Sequence, residues 1–105
     1  MSDKEKYHEM FRLKRCCIIV PTYNNGQVLE SVLNGLVNYT TSIIIVNDGS
    51  TDETESILER YPELTIITYS GNKGKGYAIR TGFKKALEQG FENAITIDSD
   101  GQHQP

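Results

Sequence analysis

The stretch Ile43-Ile44-Ile45-Val46-Asn47-Asp48-Gly49-Ser50-Thr51-Asp52-Glu53 contains a strand pattern, a polar loop and the start of a helix. Its leading apolar residues form the continuous run typical of a parallel strand that is covered on both faces. Ser50 and Glu53 have the spacing of a capping box, which predicts that a helix begins there. We expect this helix to end at Pro62 and to turn three residues inward: Ile57, Leu58 and Tyr61.

Similar patterns lie on both sides of this stretch. Further strands are predicted at residues 16–20, 64–69 and 94–98, and Pro21 is expected to end the ladder of the first. Two more helices are predicted from apolar residues at helical spacing. Their inner faces are Val28, Leu29, Val32, Leu33, Leu36 and Val37, and then Ala78, Gly82, Phe83, Ala86 and Leu87, with Gly90 as a C-terminal cap. The βαβαβαβ order predicts an α/β fold with an open, mainly parallel sheet and flanking helices.

The composition limits the classes of protein to consider. The length of 105 residues allows a single domain, which we assign to residues 15–105, after an N-terminal leader or short helix at residues 1–14. The net charge of −3 argues against a nucleic-acid binder. No apolar run has the length of a membrane span, and no signal-peptide core follows the charged N-terminus. Cys16 and Cys17 would face opposite ways on a strand, so we expect two buried free thiols in a cytoplasmic protein.

Two aspartates follow the fourth strand in Asp98-Ser99-Asp100. Side chains alternate along an extended chain, so the two carboxylates point the same way and form a hard-oxygen site suited to Mg²⁺ or Mn²⁺. We expect the strand order 3-2-1-4, which reverses between strands one and four, and ligands of open α/β sheets bind at such a point. The loop Pro21-Thr22-Tyr23-Asn24 should therefore face the aspartates across one crevice, with Asp48 beside them.

The glycine and lysine loop of residues 70–76 fits neither of two common phosphate-binding motifs. A dinucleotide fingerprint requires spaced glycines directly after the first strand, whereas Gly74-Lys75-Gly76 follows the third. A P-loop requires Lys and then Ser or Thr after its second glycine, where this chain has Tyr77. Taken singly, Asp48 also fits a turn residue, and Lys73 and Lys75 fit a solvated loop. Taken together on these strand ends, the features favour a ligand site.

Four motifs in this order resemble the family 2 glycosyltransferases of the GT-A fold. They are Ile19-Val20-Pro21-Thr22-Tyr23-Asn24, Val46-Asn47-Asp48-Gly49-Ser50-Thr51-Asp52, Asn72-Lys73-Gly74-Lys75-Gly76-Tyr77-Ala78 and Asp98-Ser99-Asp100-Gly101-Gln102-His103. The resemblance covers residues 16–105, and the last motif is most similar to the polyprenyl-phosphate (dolichol-phosphate) hexosyltransferase branch. The chain departs from the family pattern at Asn47, where an aspartate is usual, and at Asn25, where glutamate is common.

The resemblance implies a Rossmann-like nucleotide-sugar site with a divalent metal. The residues implied to contact the nucleotide sugar are Pro21, Thr22, Tyr23, Asn24, Asp48, Lys73, Gly74, Lys75, Asp98 and Ser99. Among them, Asp48 would lie near the base, and Asp98 would lie near the ribose or the metal. The residues implied to bind Mg²⁺ or Mn²⁺ at the diphosphate are Asp98, Asp100 and Gln102.

The implied activity is inverting transfer of a hexose from UDP- or GDP-hexose to an acceptor such as a lipid phosphate or a saccharide. No catalytic residue is expected within this chain, because the family's general base is a later carboxylate and the acceptor half is absent. We therefore expect a GT-A half-domain truncated after Asp98-Ser99-Asp100, from a parent on the cytoplasmic face of a membrane. A non-catalytic nucleotide-sugar-binding module and a fold that binds nothing tightly stay open as alternatives. The fourth strand is expected to be an exposed edge, which favours a dimer.

Overall fold

Helices and strands alternate along residues 2–98, which the computed structural model describes. The helices are α1 (Asp3–Leu13), α2 (Gly26–Leu36), α3 (Thr54–Leu58) and α4 (Lys75–Glu88). The strands are β1 (Cys16–Thr22), β2 (Ile43–Asp48), β3 (Thr65–Tyr69) and β4 (Asn93–Thr96). The predicted alternation is confirmed, and the N-terminal segment forms a helix. Within the described residues, no helix combines the length and the apolar character needed to cross a membrane.

The four strands form one parallel sheet in the order β3-β2-β1-β4, which confirms the predicted order. The strand order reverses between β1 and β4, because β2 and β3 follow on one side of β1 and β4 returns to the other. Parallel strands present their carboxyl ends at one edge of a sheet. The segments that follow β1, β2 and β4 therefore meet beside the reversal, where open α/β sheets bind ligands.

The core lies on both faces of the central strands β1 and β2, whose residues are all buried. On one face, Leu29 and Leu33 of α2 pack with the buried residues of α3 and with Phe11 of α1. On the other face, Ala78 and Ala86 of α4 pack against the sheet. Apolar side chains on both sides explain why these two strands read as unbroken apolar runs in the sequence.

The two cysteines are free and buried, as expected from their positions on β1. Cys16 lies in the core on the side of α2 and α3, and Cys17 lies on the side of α4. Burial raises the pKa of the Cys17 thiol to about 11, so this thiol stays protonated at neutral pH.

Helix α3 begins at Thr54, so the prediction of a capping box that starts at Ser50 is wrong. The Ser50 hydroxyl instead accepts a hydrogen bond from the backbone N–H of Asn24. The N-cap is Glu53, and the carboxylate of the preceding Asp52 accepts a hydrogen bond at 2.9 Å from the backbone N–H of Thr54, the first residue of the helix. Burial alone would raise the pKa of Asp52, but its hydrogen bonds from Thr54 and Gly26 outweigh that effect and lower it.

Strand β1 continues through Pro21 to Thr22 along its neighbour β2. The prediction that Pro21 ends the ladder is therefore wrong on that side of the strand. Pro21 pairs with Val46 of β2. Backbone groups of β1 alternate between the two sides, and Ile19 accepts a hydrogen bond from Ile97 on the side of β4. Two residues further on, the backbone nitrogen of Pro21 faces the same side but carries no hydrogen. The absent donor therefore costs only a bond to β4, whose paired residues end at Thr96.

Helix α4 buries a narrower face than its apolar spacing predicts. The exposed fractions of Phe83 and Leu87 are 43% and 76%, so the prediction that they lie on the inner face is wrong. The buried stripe consists of small residues at four-residue spacing: Ala78, Gly82 and Ala86. These allow a close approach to the sheet, because a Cβ built on Gly82 would lie 2.5 Å from Cγ2 of Ile19. Gly90 follows the helix with a φ of 84° and the reciprocal hydrogen bonds of a Schellman cap.

Strand β4 is shorter than predicted and lies at the edge of the sheet, next to β1. Its apolar side chain Ile95 is 48% exposed, which agrees with the expected exposed edge. Met10 and Leu13 of α1 are also exposed, and Met10 and Ile95 line the same shallow depression. Self-association through this edge stays a prediction.

Candidate functional site

A cavity of about 250 Å³ lies at the carboxyl ends of the strands, beside the reversal of strand order. Its walls come from the ends of β1 and β2, the start of α4 and the segment after β4. The lining residues are Pro21, Thr22, Tyr23, Asp48, Asn72, Lys75, Ala78 and Asp98. Most of them are residues that the sequence predicts for nucleotide-sugar binding. Asn72 and Ala78 were not predicted as site residues, although both belong to the third motif.

Asp48 is buried in the cavity wall, with an exposed fraction of 3%. Its carboxylate accepts hydrogen bonds from the Tyr69 hydroxyl at 2.6 Å and the Asn72 side-chain amide at 2.8 Å. It also accepts from the backbone N–H groups of Lys73 at 2.9 Å and Gly74 at 3.0 Å. Burial, followed by the hydrogen bond to Asp48, raises the pKa of the Tyr69 phenol, so this donor keeps its proton at neutral pH. Asp48 thereby ties the end of β2 to the turn that precedes α4.

Asn24 holds a second loop in place and does not line the cavity. Its side-chain oxygen accepts hydrogen bonds from the backbone N–H groups of Thr51 at 2.7 Å and Asp52 at 3.2 Å. Its own backbone N–H donates to the Ser50 hydroxyl at 3.0 Å. Asn24 adopts a φ of 49°, a left-handed conformation that asparagine tolerates better than most residues. These bonds fix the loop after β1 against the loop after β2.

Two lysines of the third motif have different positions. The ammonium group of Lys75 forms an ion pair with the Asp98 carboxylate across the cavity. The ammonium group of Lys73 lies over the Tyr77 ring, 5.5 Å from its centroid, and its backbone contacts Asp48. Lys75 therefore lines the cavity as one half of an ion pair, while the backbone N–H groups of Lys73 and Gly74 bind Asp48 in the cavity wall.

The predicted metal ligands lie partly beyond the described residues. Asp100 and Gln102 fall outside residues 2–98, as does the predicted nucleotide contact Ser99. Among the described residues, no group of three or more His, Cys, Asp or Glu side chains could hold a metal ion. Asp98 is described and lies in the cavity wall, where its carboxylate already faces the cationic group of Lys75. A partly exposed carboxylate that attracts a cation fits the hard-oxygen chemistry of Mg²⁺ or Mn²⁺.

Thr22 presents an unpartnered polar atom in the cavity wall. Its hydroxyl oxygen is buried and has no hydrogen-bond partner among the described residues. Burying a hydroxyl without a partner costs about 1–3 kcal/mol.

Replacing Thr22 by valine, which has the same shape, is expected to raise the free energy of unfolding by about 1 kcal/mol, because it removes an unsatisfied hydroxyl. Urea unfolding monitored by circular dichroism measures this change. Thr54→Val is the matched control, since Thr54 is equally buried but its hydroxyl donates to Asp52. The control should lose about 1 kcal/mol. A loss of stability in both variants would show that Thr22 has a partner in the folded protein.

A larger cavity of about 650 Å³ lies at the opposite end of the sheet. It is lined by side chains of both charges, among them Glu5, Glu9, Arg12 and Arg15, around the start of β1. Arg12 forms an ion pair with Glu9, and Arg15 forms one with Glu92, so this larger cavity carries no concentrated charge of one sign. Parallel α/β sheets bind ligands at the carboxyl ends of their strands. Position and chemistry therefore favour the smaller cavity over the larger one.

Known relatives resemble this chain over most of its length. Residues 17–105 match the family model "Glycosyl transferase family 2". The UDP-N-acetylglucosamine–dolichyl-phosphate N-acetylglucosaminyltransferase of Methanococcus voltae is 38% identical over 84% of this chain and 42% of its own length. The undecaprenyl-phosphate mannosyltransferase of Micrococcus luteus is 30% identical over 87% of this chain and 40% of its own length. The chain thus spans about two fifths of these curated relatives.

A solved structure shares the fold. Glucosyl-3-phosphoglycerate synthase from Mycobacterium tuberculosis, in complex with Mn²⁺, UDP-glucose and phosphoglyceric acid, superposes with a TM-score of 0.66. The two chains are 19% identical, and the match covers 93% of this chain and 38% of the synthase. At that identity the likeness supports the fold alone, and the fold is the one that the four motifs implied. With the family model matched over nearly the whole chain, this protein belongs to glycosyl transferase family 2.

Proposed function

We propose that this chain is the nucleotide-sugar-binding half of a hexosyltransferase. The observation that carries the proposal is the cavity at the strand reversal, where residues of all four motifs converge. Three chemically different walls surround it: the apolar and aromatic pair Pro21 and Tyr23, the anchored carboxylate of Asp48, and the ion pair of Lys75 with Asp98. A nucleotide sugar has matching parts, namely a flat base, a polar ribose and an anionic diphosphate.

Two of these walls suit a part of that ligand directly. Tyr23 is half exposed at the cavity mouth, and an aromatic face of this kind can stack on a base. The ammonium group of Lys75 supplies positive charge for the diphosphate. Asp98, together with Asp100 and Gln102 outside the described residues, would hold the divalent cation. When bound, Mg²⁺ or Mn²⁺ would stabilise negative charge on the departing nucleoside diphosphate.

The donor and the acceptor of the whole protein are part of the proposal. The Methanococcus voltae relative is named for a UDP-sugar donor and the neighbouring structure contains UDP-glucose, which favours UDP over GDP. Both curated relatives are named for polyprenyl-phosphate acceptors, which supports a lipid phosphate as acceptor. A lipid acceptor also supports a position on the cytoplasmic face of a membrane. The acceptor site and the catalytic base then belong to parts of the protein outside this chain.

The proposal is tested by thermal unfolding of this chain in Mn²⁺ with UDP, with GDP or with buffer. A ligand at about 100 times its dissociation constant adds about 2.7 kcal/mol of stability. For a domain of this size, that corresponds to a rise in Tm on the order of 10 °C. We expect this rise with UDP, dependence on Mn²⁺, and loss of the rise in Asp98→Asn and in Asp100→Ala.

The matched control is Glu63→Gln, which removes one exposed carboxylate before β3, at the far end of the sheet. It should keep the full response to UDP. A rise in Tm with GDP alone would contradict the proposed uridine nucleotide and favour a guanosine nucleotide. If neither nucleotide raises Tm, the chain does not form a nucleotide site by itself and the proposal fails for it.

A further inference from the structure

The side of α4 that points away from the sheet combines apolar and basic side chains. Phe83 and Leu87 are exposed and lie one helical turn apart. Arg80 and Lys84 are also exposed, and each is two residues from the buried Gly82. Two residues correspond to roughly 200° around a helix, so both point away from the contact with the sheet. We call these four exposed residues the outer face of α4: Arg80, Phe83, Lys84 and Leu87.

The charge of this part of the chain is opposite in sign to that of the rest. Residues 73–87 contain five Lys or Arg residues and no Asp or Glu, whereas the other residues contain six Lys or Arg and fourteen Asp or Glu. Among the residues that the structure describes, neither Arg80 nor Lys84 forms an ion pair. The outer face therefore presents positive charge, although the net charge of the protein is negative.

The surface of an anionic lipid bilayer matches both features of the outer face. Phe and Leu side chains can leave water for the boundary between headgroups and acyl chains, while Lys and Arg side chains keep their charges among the headgroups. Anionic headgroups attract each of these cations. A nucleic acid would match the charge but would provide no apolar environment for Phe83 and Leu87. The combination therefore favours a bilayer.

Helix α1 also exposes apolar side chains, but its charges are mixed. Met10 and Leu13 are exposed on this helix. Its acidic residues are Asp3, Glu5 and Glu9, and they alternate with the basic ones. Repulsion of these carboxylates by anionic headgroups offsets the attraction of the neighbouring cations. Charge therefore favours α4 over α1 as the helix that contacts an anionic surface.

We propose that the outer face of α4 binds the surface of a lipid bilayer that contains anionic headgroups. The proposal goes beyond nucleotide-sugar binding, because it gives this chain its own contact with a membrane. Lys75, the first residue of the same helix, lines the cavity at the strand reversal. A bilayer bound along α4 would therefore lie beside the donor site, a position that suits an acceptor that is itself a lipid phosphate.

Vesicle binding tests the proposal. We would measure flotation of the chain with vesicles of phosphatidylcholine alone and with vesicles of equal parts phosphatidylcholine and phosphatidylglycerol. We expect binding to the mixed vesicles that weakens as salt is added, and much weaker binding to phosphatidylcholine alone. Absence of binding to the mixed vesicles would overturn the proposal. The assay contains neither UDP nor Mn²⁺, so its outcome is independent of whether the chain binds a nucleotide.

Matched substitutions on the two helices locate the contact. Leu87→Ser should lower the partition coefficient by about tenfold, because it removes a large apolar side chain from the interface. Lys84→Gln should lower it by about fivefold, the effect of one cation near an anionic surface. The controls are Leu13→Ser and Lys14→Gln at the end of α1, where Leu13 is 66% exposed against 76% for Leu87. Losses in the controls as large as those on α4 would overturn the proposal.

A tryptophan placed on either helix reports the contact itself. The chain contains no tryptophan, so Phe83→Trp gives a single fluorescent reporter on the outer face and Leu13→Trp gives one on α1. With the mixed vesicles, the emission of Phe83→Trp should shift to shorter wavelength as the indole leaves water, and that of Leu13→Trp should not. The opposite pattern would overturn the proposal.

A second copy of the chain is the competing occupant of the outer face. Analytical ultracentrifugation of the unmodified chain and of Leu87→Ser distinguishes it from a bilayer. A dimer that Leu87→Ser dissociates, together with no binding to the mixed vesicles, would show that another copy covers the face and would overturn the proposal. We expect the same sedimentation for both chains.

Discussion

Replacing Gly49 by alanine is expected to lower the free energy of unfolding by about 3 kcal/mol or more and to displace residues 71–74, the anchored turn, whose backbone N–H groups bind Asp48. Gly49 has a φ of 75°, where an L-residue is strained, and an added Cβ would lie 2.4 Å from the carbonyl carbon of Gly71. The neighbouring atoms are backbone and cannot rotate away. Urea unfolding gives the stability change, and amide exchange at Lys73 and Gly74 reports the turn.

Gly90→Ala separates strain from the steric clash. Gly90 has a φ of 84°, close to that of Gly49, but a Cβ there would meet nothing within 4 Å. This control should lose only the cost of the left-handed conformation, about 1–2 kcal/mol. Equal losses of stability in the two variants would mean that the steric clash between the loops after β2 and β3 adds nothing to the effect of Gly49→Ala.

The second large effect is expected at Gly82 of α4. A Cβ at this position would lie 2.5 Å from Cγ2 of Ile19 and 3.4 Å from Cγ2 of Val46. Both atoms belong to fully buried β-branched residues of the sheet, so the helix must move outward to admit a methyl group. Overpacking of this kind costs about 1–3 kcal/mol, and the better helix propensity of alanine returns about 1 kcal/mol. We therefore expect Gly82→Ala to lower the free energy of unfolding by a net amount of up to about 2 kcal/mol, measured by urea unfolding.

Gly35 provides the matched control for that substitution. It lies in helix α2, and a Cβ there would meet nothing within 4 Å. Gly35→Ala should therefore gain up to about 1 kcal/mol from helix propensity alone. Opposite signs for the two variants would confirm that the contact between α4 and the sheet, and not the helix itself, penalises the methyl group. A gain in both variants would contradict the expected close packing of α4.

The sheet could be predicted from sequence because its signals are local. Strands β1 and β2 are continuous apolar runs, and the short connections between successive elements leave few topologies open. The width of a buried helix face is different, because it depends on how close the partner lies. The sequence places Phe83 and Leu87 on the same side as Ala78, but the sheet approaches α4 so closely that only the stripe of small residues is covered.

The contacts of the site were less predictable, because polar groups found partners far away in the sequence. Ser50 has the spacing of a helix cap, yet its hydroxyl bonds to the loop after β1. Asn24 was predicted to contact the ligand, and in the structure its side-chain oxygen accepts hydrogen bonds from the loop after β2. Strand order predicts which residues line the cavity. Their hydrogen-bond partners within the chain depend on tertiary geometry, which the sequence pattern does not contain.

The anchored turn has a consequence for how the chain loses its structure. Most surface loops open locally, at a free-energy cost well below that of complete unfolding. Here the partners of Asp48 lie more than twenty residues away in sequence, and Asp48 itself is buried at the end of β2, which pairs with β3. The turn therefore belongs to the same cooperative unit as the sheet. A molecule that binds to this turn would slow the opening of the whole domain. Amide exchange would then slow in strands that the molecule does not contact.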